Sequence, residues 1–246
     1  MSKKDKNRSD NVPDYYKIIP KKYLSDYKTN YPNFKNINIK LPMHMIIAGK
    51  TGSYKTNALM HLIKSMECFD KFIICVKKPS EPFYAWLIDT VQKLEEESGE
   101  EGMVFVTTNP TELPPIEEVG EGTTLFIADD MMTESKKDQK MIEEYYIRGR
   151  KDGISCVYIS QSYFSTPINI RKNSDICILK DIVSVKELAN ILREYSFCED
   201  PKKIAEVYNK LIKPGGTDFF MIDKATNNPI MRYRRNFKGI DPKYYS

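Results

Sequence analysis

Residues 49–56, GKTGSYKT, follow an apolar run and precede a helix-compatible stretch, and their types suit the capture of a triphosphate. A triphosphate needs converging backbone N–H groups, a lysine at the β/γ-phosphates and a hydroxyl for magnesium. Gly49 lets the chain turn out of the strand, and Gly52 removes a Cβ where backbone and phosphate approach. Lys50, Thr51, Ser53 and Tyr54 complete the loop, Lys55 carries the charge and Thr56 makes the magnesium contact. A second register, with Gly49, Lys50 and Thr51 as the G-K-T, would place its first glycine at His44. It would also turn residues 45–48, which read as buried parallel strand, into loop. The expectation is therefore Lys55, with Tyr54 standing where the motif has glycine.

Hydrolysis also demands a metal-holding carboxylate and a group that handles the attacking water. The segment TLFIADD, residues 124–130, ends an apolar strand in two aspartates. Asp129 is assigned to the hydrated magnesium and Asp130 to the water, with Glu134 as a reserve base. The next apolar strand, SCVYIS, runs into Gln161, whose amide suits a sensor touching both water and γ-phosphate. Arg150, then Arg148, then Arg171 are candidates for a guanidinium supplied by a neighbouring subunit, against the plain alternative of surface ion pairs. Lys136, Lys137 and Lys172 are candidate contacts to nucleic-acid phosphates, which would make binding salt-dependent.

The elements that must position these groups are short apolar runs at 71–76, 103–107, 124–128, 155–160 and 175–180, alternating with helix-compatible stretches, as in a parallel α/β sheet. EEESGEEG, residues 95–102, reads as an acidic turn. TDFFMIDKATNNPIMRYRRNF reads as two strands joined by a polar turn around Asn227 and Asn228. Residues 1–12 read as a disordered charged tail, and 13–40 as an extended arm rich in tyrosine, lysine and proline that lies on the domain or a neighbour. Residues 41–246 then form the ATPase domain.

A chain of 246 residues with 41% hydrophobic content can bury a full core without staples. Its 38 basic and 34 acidic residues give a net charge of +4, too mild to decide for or against nucleic acid. The five cysteines have no C-x-x-C spacing, Cys75, Cys156 and Cys177 fall in strand-like runs, and with His44 and His61 alone no zinc spacing arises. No apolar run approaches the roughly 20 residues that span a bilayer, so no membrane partner and an intracellular location are expected.

With these motifs in place, the chain resembles the FtsK/HerA superfamily of P-loop ATPases, and within it the poxvirus-type genome-packaging ATPases of large DNA viruses, virophages and Polinton-like elements. The resemblance covers residues 31–240. It rests on LPMHMIIAGKTGSYKT, TLFIADD, the block RGRKDGISCVYISQSYFSTPINIRKNSD, and FFMID followed by MRYRRNF; virophage packaging ATPases are similar in their compact length. The resemblance implies a RecA-like, additional-strand core with the Gln161 strand between the phosphate-loop strand and the Asp129 strand. It implies ATP and Mg2+ as cofactors and a homo-oligomeric ring, a pentamer or hexamer. Such a ring would drive double-stranded DNA into a preformed capsid beside a capsid or portal vertex protein, in the host cytoplasm or a viral factory. Lys55, Thr56, Asp129, Asp130 and Gln161 would be the core site, with an arginine in trans. Two other readings use the same core: an assembly protein that binds nucleotide without moving DNA, and a helicase or conjugation-type pump.

Overall fold

The computed structural model describes Pro20 and residues 31–182, 184–195 and 199–245. The expected tail at 1–12, most of the expected arm and Cys198 lie outside the described residues.

The first described element is a single helical turn, α1 (Phe34–Ile37), held against the body by buried Tyr31, Ile37 and Ile39. The Tyr31 hydroxyl donates to the Ile39 carbonyl at 3.1 Å. Alternating strands and helices follow: β1 (His44–Gly49), α2 (Lys55–Met66), β2 (Lys71–Val76), α3 (Pro82–Ser98), β3 (Val104–Thr107), β4 (Thr124–Asp129), α4 (Lys136–Arg148) and β5 (Ile154–Ser160). The chain continues through α5 (Ile168–Asn173), β6 (Ile176–Lys180), α6 (Val185–Glu194), α7 (Pro201–Leu211), β7 (Phe220–Asp223), α8 (Pro229–Arg232), β8 (Tyr233–Arg235) and β9 (Lys238–Gly239).

Among the described residues the strands form one sheet in the order β3-β2-β4-β5-β1-β6-β7-β8-β9. β1 to β6 are parallel, and β7, β8 and β9 add antiparallel partners. β5 lies between β1 and β4, the position the resemblance implied for the strand leading to Gln161.

The continuous apolar character of β1, β2, β4 and β5 has a direct cause, because both faces of this sheet are covered. Side chains alternate across a strand, so Ile46, Phe126, Cys156 and Cys177 face one layer with α4, α6 and α7. Met45, Ile47, Leu125, Val157 and Ile178 face the other, with α2 and α3. Each fully buried aliphatic side chain contributes roughly 1.5–3 kcal/mol relative to exposure. The three core cysteines are free, and burial pushes the thiols of Cys75 and Cys177 up to about 12, which leaves them unreactive.

Two expectations are corrected. Residues 95–98 are not turn: α3 runs through the glutamates to Ser98 and stops where Gly99 takes φ 72°. The connection after β7 is more than a polar turn as well. Asn228 accepts from the Ile230 amide at 3.1 Å and starts the helical turn α8, with Pro229 at its first position, before the chain returns as β8.

Candidate active site

Parallel strands direct their C-terminal ends to one edge of the sheet, where ligands of open α/β folds bind. β1 ends there at Gly49. A Cβ on Gly49 would lie 2.2 Å from the Lys180 carbonyl oxygen and 2.7 Å from Ser53 Oγ, so any side chain would collide with β6. Gly52 has open space around its Cβ position but adopts φ +75°. The two glycines thus serve reasons opposite to those expected: Gly49 permits the close approach, and Gly52 permits the backbone turn.

The helix after this loop opens without a side-chain cap. Tyr54 is its N-cap, at φ 63° and ψ 34°, and makes no capping bond. By contrast α4, α6 and α7 are capped by Ser135, Ser184 and Asp200. The unsatisfied N–H groups of α2 and the positive end of its dipole are left for an anion. The left-handed conformation explains why the motif has glycine where Tyr54 stands. The Tyr54 ring is half exposed and sits over Lys180, Nζ 6.0 Å from its centroid, outside the wall of the cleft described next.

A cleft of about 330 Å³ is lined by Thr51, Gly52, Lys55, Thr56, Asp129, Asp130 and Gln161, together with Lys77, Lys78 and Glu81 from the β2–α3 connection and Tyr84 from the first turn of α3. Lys55 Nζ donates to the Lys50 carbonyl across the loop at 3.0 Å. Burial lowers its pKa, opposed by the charges of Asp129 and Asp130, which places all three groups in one electrostatic neighbourhood. Lys50 points elsewhere, its Nζ 3.6 Å from Asp181.

Register explains how the acidic groups meet. Asp129 ends β4 beside Ile159 of β5, so Gln161 projects just past the same edge. Gln161 Nε2 donates to Asp130 Oδ1 at 3.3 Å. Asp130 is exposed at φ 57°, a left-handed turn that Asp tolerates better than most residues. Asp129 is only partly accessible and accepts from the Tyr84 hydroxyl at 2.6 Å. Burial pushes its carboxyl up to about 6, partly offset by the Tyr84 bond and the Lys55 charge. The Tyr84 hydroxyl is in turn held well above its ordinary value by burial and by the Asp129 charge.

Thr56 hydroxyl and Asp129 carboxylate are hard oxygen donors, and a buried carboxylate with a raised pKa is relieved by a cation. Magnesium typically takes one or two carboxylates and completes its shell with phosphate and water, so these residues fit it.

The other sequence candidates do not join this cluster. Arg148 and Arg150 precede β5 and therefore lie at the opposite edge of the sheet. Arg150 pairs with Asp175 at 2.5 Å and contacts the Asn173 carbonyl at 3.4 Å; Arg148 pairs with Glu117. Buried His44 is held down to about 4, by burial first and then by the Arg150 charge. Arg171 is pinned by Glu194 and the Thr166 carbonyl and lies over the Tyr163 and Phe164 rings. Lys136 and Lys137 are exposed at the start of α4 on the cleft edge, whereas exposed Lys172 is at the other edge. Glu134 pairs with Lys77. Tyr84 and Glu81 were not anticipated from sequence. Their signal was a glutamate at a helix start, directly before Pro82 at its first position, after a buried strand.

Fold and site together define a P-loop nucleoside triphosphatase with an additional strand between its phosphate-loop and acidic strands. A family model described as Poxvirus A32 protein matches residues 33–216. The chain belongs to this poxvirus A32 family, viral genome-packaging ATPases of the FtsK/HerA type. It is accordingly a nucleotide-binding ATPase. Among curated protein sequences no relative matches.

Similar solved structures include the genome packaging NTPase B204 of Sulfolobus turreted icosahedral virus 2. Its complex with ATP-gammaS is 17% identical at TM-score 0.51, covering 81% of this chain and 99% of that one. Its sulfate complex is 16% identical at TM-score 0.56, covering 82% and 99%. B204 of Sulfolobus turreted icosahedral virus, a DNA-packaging ATPase, is 16% identical at TM-score 0.51, covering 80% and 97%. At these identities the likeness concerns the fold. No helix among the described residues is long and apolar enough to cross a membrane.

Proposed function

We propose that this chain is the ATP-driven motor that moves double-stranded DNA into a preformed capsid, working as a homo-oligomeric ring beside a capsid or portal vertex protein. The observation that carries the reading is the convergence of Lys55, Thr56, Asp129, Asp130 and Gln161 on one cleft at the C-terminal sheet edge. Family membership and the similarity to B204, a genome packaging NTPase crystallised with ATP-gammaS, support it.

In this mechanism the open N-terminus of α2 and the loop amides take the β- and γ-phosphates, and Lys55 leaves the Lys50 carbonyl to neutralise their charge. Thr56 and Asp129 would hold Mg2+, which when bound neutralises phosphate charge. Tyr84 keeps the Asp129 carboxylate in one orientation. Gln161 and Asp130 hold the attacking water, their mutual hydrogen bond setting both side chains at the mouth of the cleft. An arginine from the next subunit, Arg150 first, then Arg148, then Arg171, completes charge stabilisation and ties turnover to assembly. DNA is contacted through its backbone by exposed lysines such as Lys136 and Lys137 on the cleft edge, with Lys172 on the opposite edge as a further contact.

The test is ATP hydrolysis with and without long double-stranded DNA across a salt series, for the native chain and Asp130→Asn. Stimulation by DNA that declines with salt and disappears in the variant is expected. Hydrolysis indifferent to DNA would reduce the protein to a nucleotide-dependent assembly factor, and unwinding of a forked duplex would make it a helicase.

A further inference from the structure

The cleft contains a third carboxylate that the mechanism above leaves idle. Glu81 sits at the N-cap of α3, before Pro82 at the first helical position, yet its side chain makes no capping bond. Its backbone is fixed on both sides, the amide donating to Lys78 O and the carbonyl accepting from the Ala85 amide, each at 3.0 Å. The side chain lines the same cleft as Lys55, Thr56, Asp129, Asp130 and Gln161. Its Oε2 is buried without a hydrogen-bond partner among the described residues.

A carboxylate oxygen left without a donor in a desolvated site is costly, and such an atom in a native fold calls for an explanation, a catalytic role among them. Asp130 has its donor, the Gln161 amide. Asp129 has its donor, the Tyr84 hydroxyl one turn along the helix that Glu81 begins. Glu134, the reserve base named from sequence, is occupied by Lys77. Among the acidic groups of the cleft wall, Glu81 is the one whose unpartnered oxygen is buried, and it is one methylene longer than either aspartate. Its charge is felt by both Asp129 and Tyr84, which fits a position facing the same space.

We propose that Glu81 is the general base of hydrolysis, with Asp130 and Gln161 orienting the water that Glu81 deprotonates. The assignment rests on the ATPase reading above and refines it. As the water oxygen bonds to the γ-phosphorus, its proton passes to the Glu81 carboxylate. The bond from the γ-phosphorus to the β,γ-bridging oxygen breaks, and its electron pair leaves on ADP. Glu81 then returns the proton to solvent or to the departing phosphate. Lys55 meets the negative charge that accumulates.

The experiment compares the native chain with Glu81→Gln, Glu81→Asp and Asp130→Asn, measuring steady-state ATP hydrolysis and, separately, binding of a fluorescent ATP analogue. Glu81→Gln is expected to lose at least about 100-fold in kcat, the size typical of a general base. Its analogue affinity should stay within about twofold of native, because an interaction confined to the transition state leaves ground-state binding alone. Glu81→Asp, which keeps the carboxylate but withdraws it, should fall between native and Gln. A Glu81→Gln rate close to native beside an inactive Asp130→Asn would return the base role to Asp130 and overturn the proposal while leaving the ATPase reading intact. A Glu81→Gln defect that appears equally in analogue binding would overturn it as well, by making the residue a binding group. A native chain that binds the analogue yet hydrolyses no ATP, with long double-stranded DNA as well as without it, would defeat both readings.

Discussion

Tyr54 is the residue at which this chain departs from its motif, and its geometry separates strain from function. A non-glycine residue in the left-handed region costs roughly 1–2 kcal/mol, and Tyr54 sits there at φ 63°. The ring lies over Lys180, whose ammonium donates to the Gly216 and Asp218 carbonyls at 2.8 and 2.5 Å. The strain therefore falls on the backbone, and the aromatic surface lies on the β6 side of the loop, away from the acidic strand. Tyr54→Gly is expected to leave affinity for an ATP analogue within about twofold of native, since no wall of the cleft is removed. Relief of the φ penalty, less the greater entropy of glycine in the unfolded chain, should raise stability by about 0.5–1 kcal/mol. Analogue titration and urea unfolding check the two halves. Binding tightened tenfold or more would mean that the strained loop holds the phosphate amides out of place.

The elements differ in how far the sequence revealed them, and the reason is physical. β1, β2, β4 and β5 were legible because a strand covered on both faces must be apolar throughout, and Asp129 and Gln161 then fall where each run ends. The β2–α3 connection was opaque. Glu81 ends it and Tyr84 follows in the first turn of α3, and the meeting of Tyr84 with Asp129 depends on a helix packing angle that periodicity does not encode. The C-terminal strands hide a similar long-range fact. Arg234 on β8 is fully buried and pairs with Asp223 on β7. It also donates to the Met231, Ile37 and Asn38 carbonyls at 2.7, 2.6 and 3.1 Å, fastening the last strands to the start of the described chain. Burial raises the Asp223 carboxyl in spite of the adjacent guanidinium. Arg234→Met, which leaves Asp223 without its partner, is expected to cost about 3–5 kcal/mol in urea unfolding. Adding Asp223→Asn should recover part of that loss, because the stranded charge disappears. Equal loss in the single and double variants would show that the carbonyl contacts, and not the ion pair, are what Arg234 provides.

At the scale of the whole molecule the sheet has two working edges. The cleft lined by Lys55, Asp129 and Gln161 occupies the C-terminal edge, and the block RGRKDG with the Arg150–Asp175 pair occupies the other. An arginine on that second edge cannot serve the cleft of its own chain, so any catalytic role for it requires a second copy placed edge to edge, as cyclic assemblies with heterologous interfaces allow. Complementation tests this directly. Arg150→Ala alone should bind an ATP analogue normally and hydrolyse poorly, and Lys55→Ala alone should fail at the cleft. Mixed before assembly on DNA, the two inactive variants are expected to regain turnover. A cleft with intact Lys55 then meets an intact Arg150 from its neighbour at about a quarter of the interfaces of randomly mixed rings. Activity that peaks at equal proportions, above both pure variants, identifies Arg150 as the trans residue. A mixture that never exceeds the mean of its components would leave Arg150 as the partner of Asp175. The same mixing with Arg148→Ala or Arg171→Ala would then decide between the remaining arginines, and Arg171 is the more heavily committed of the two to its own fold.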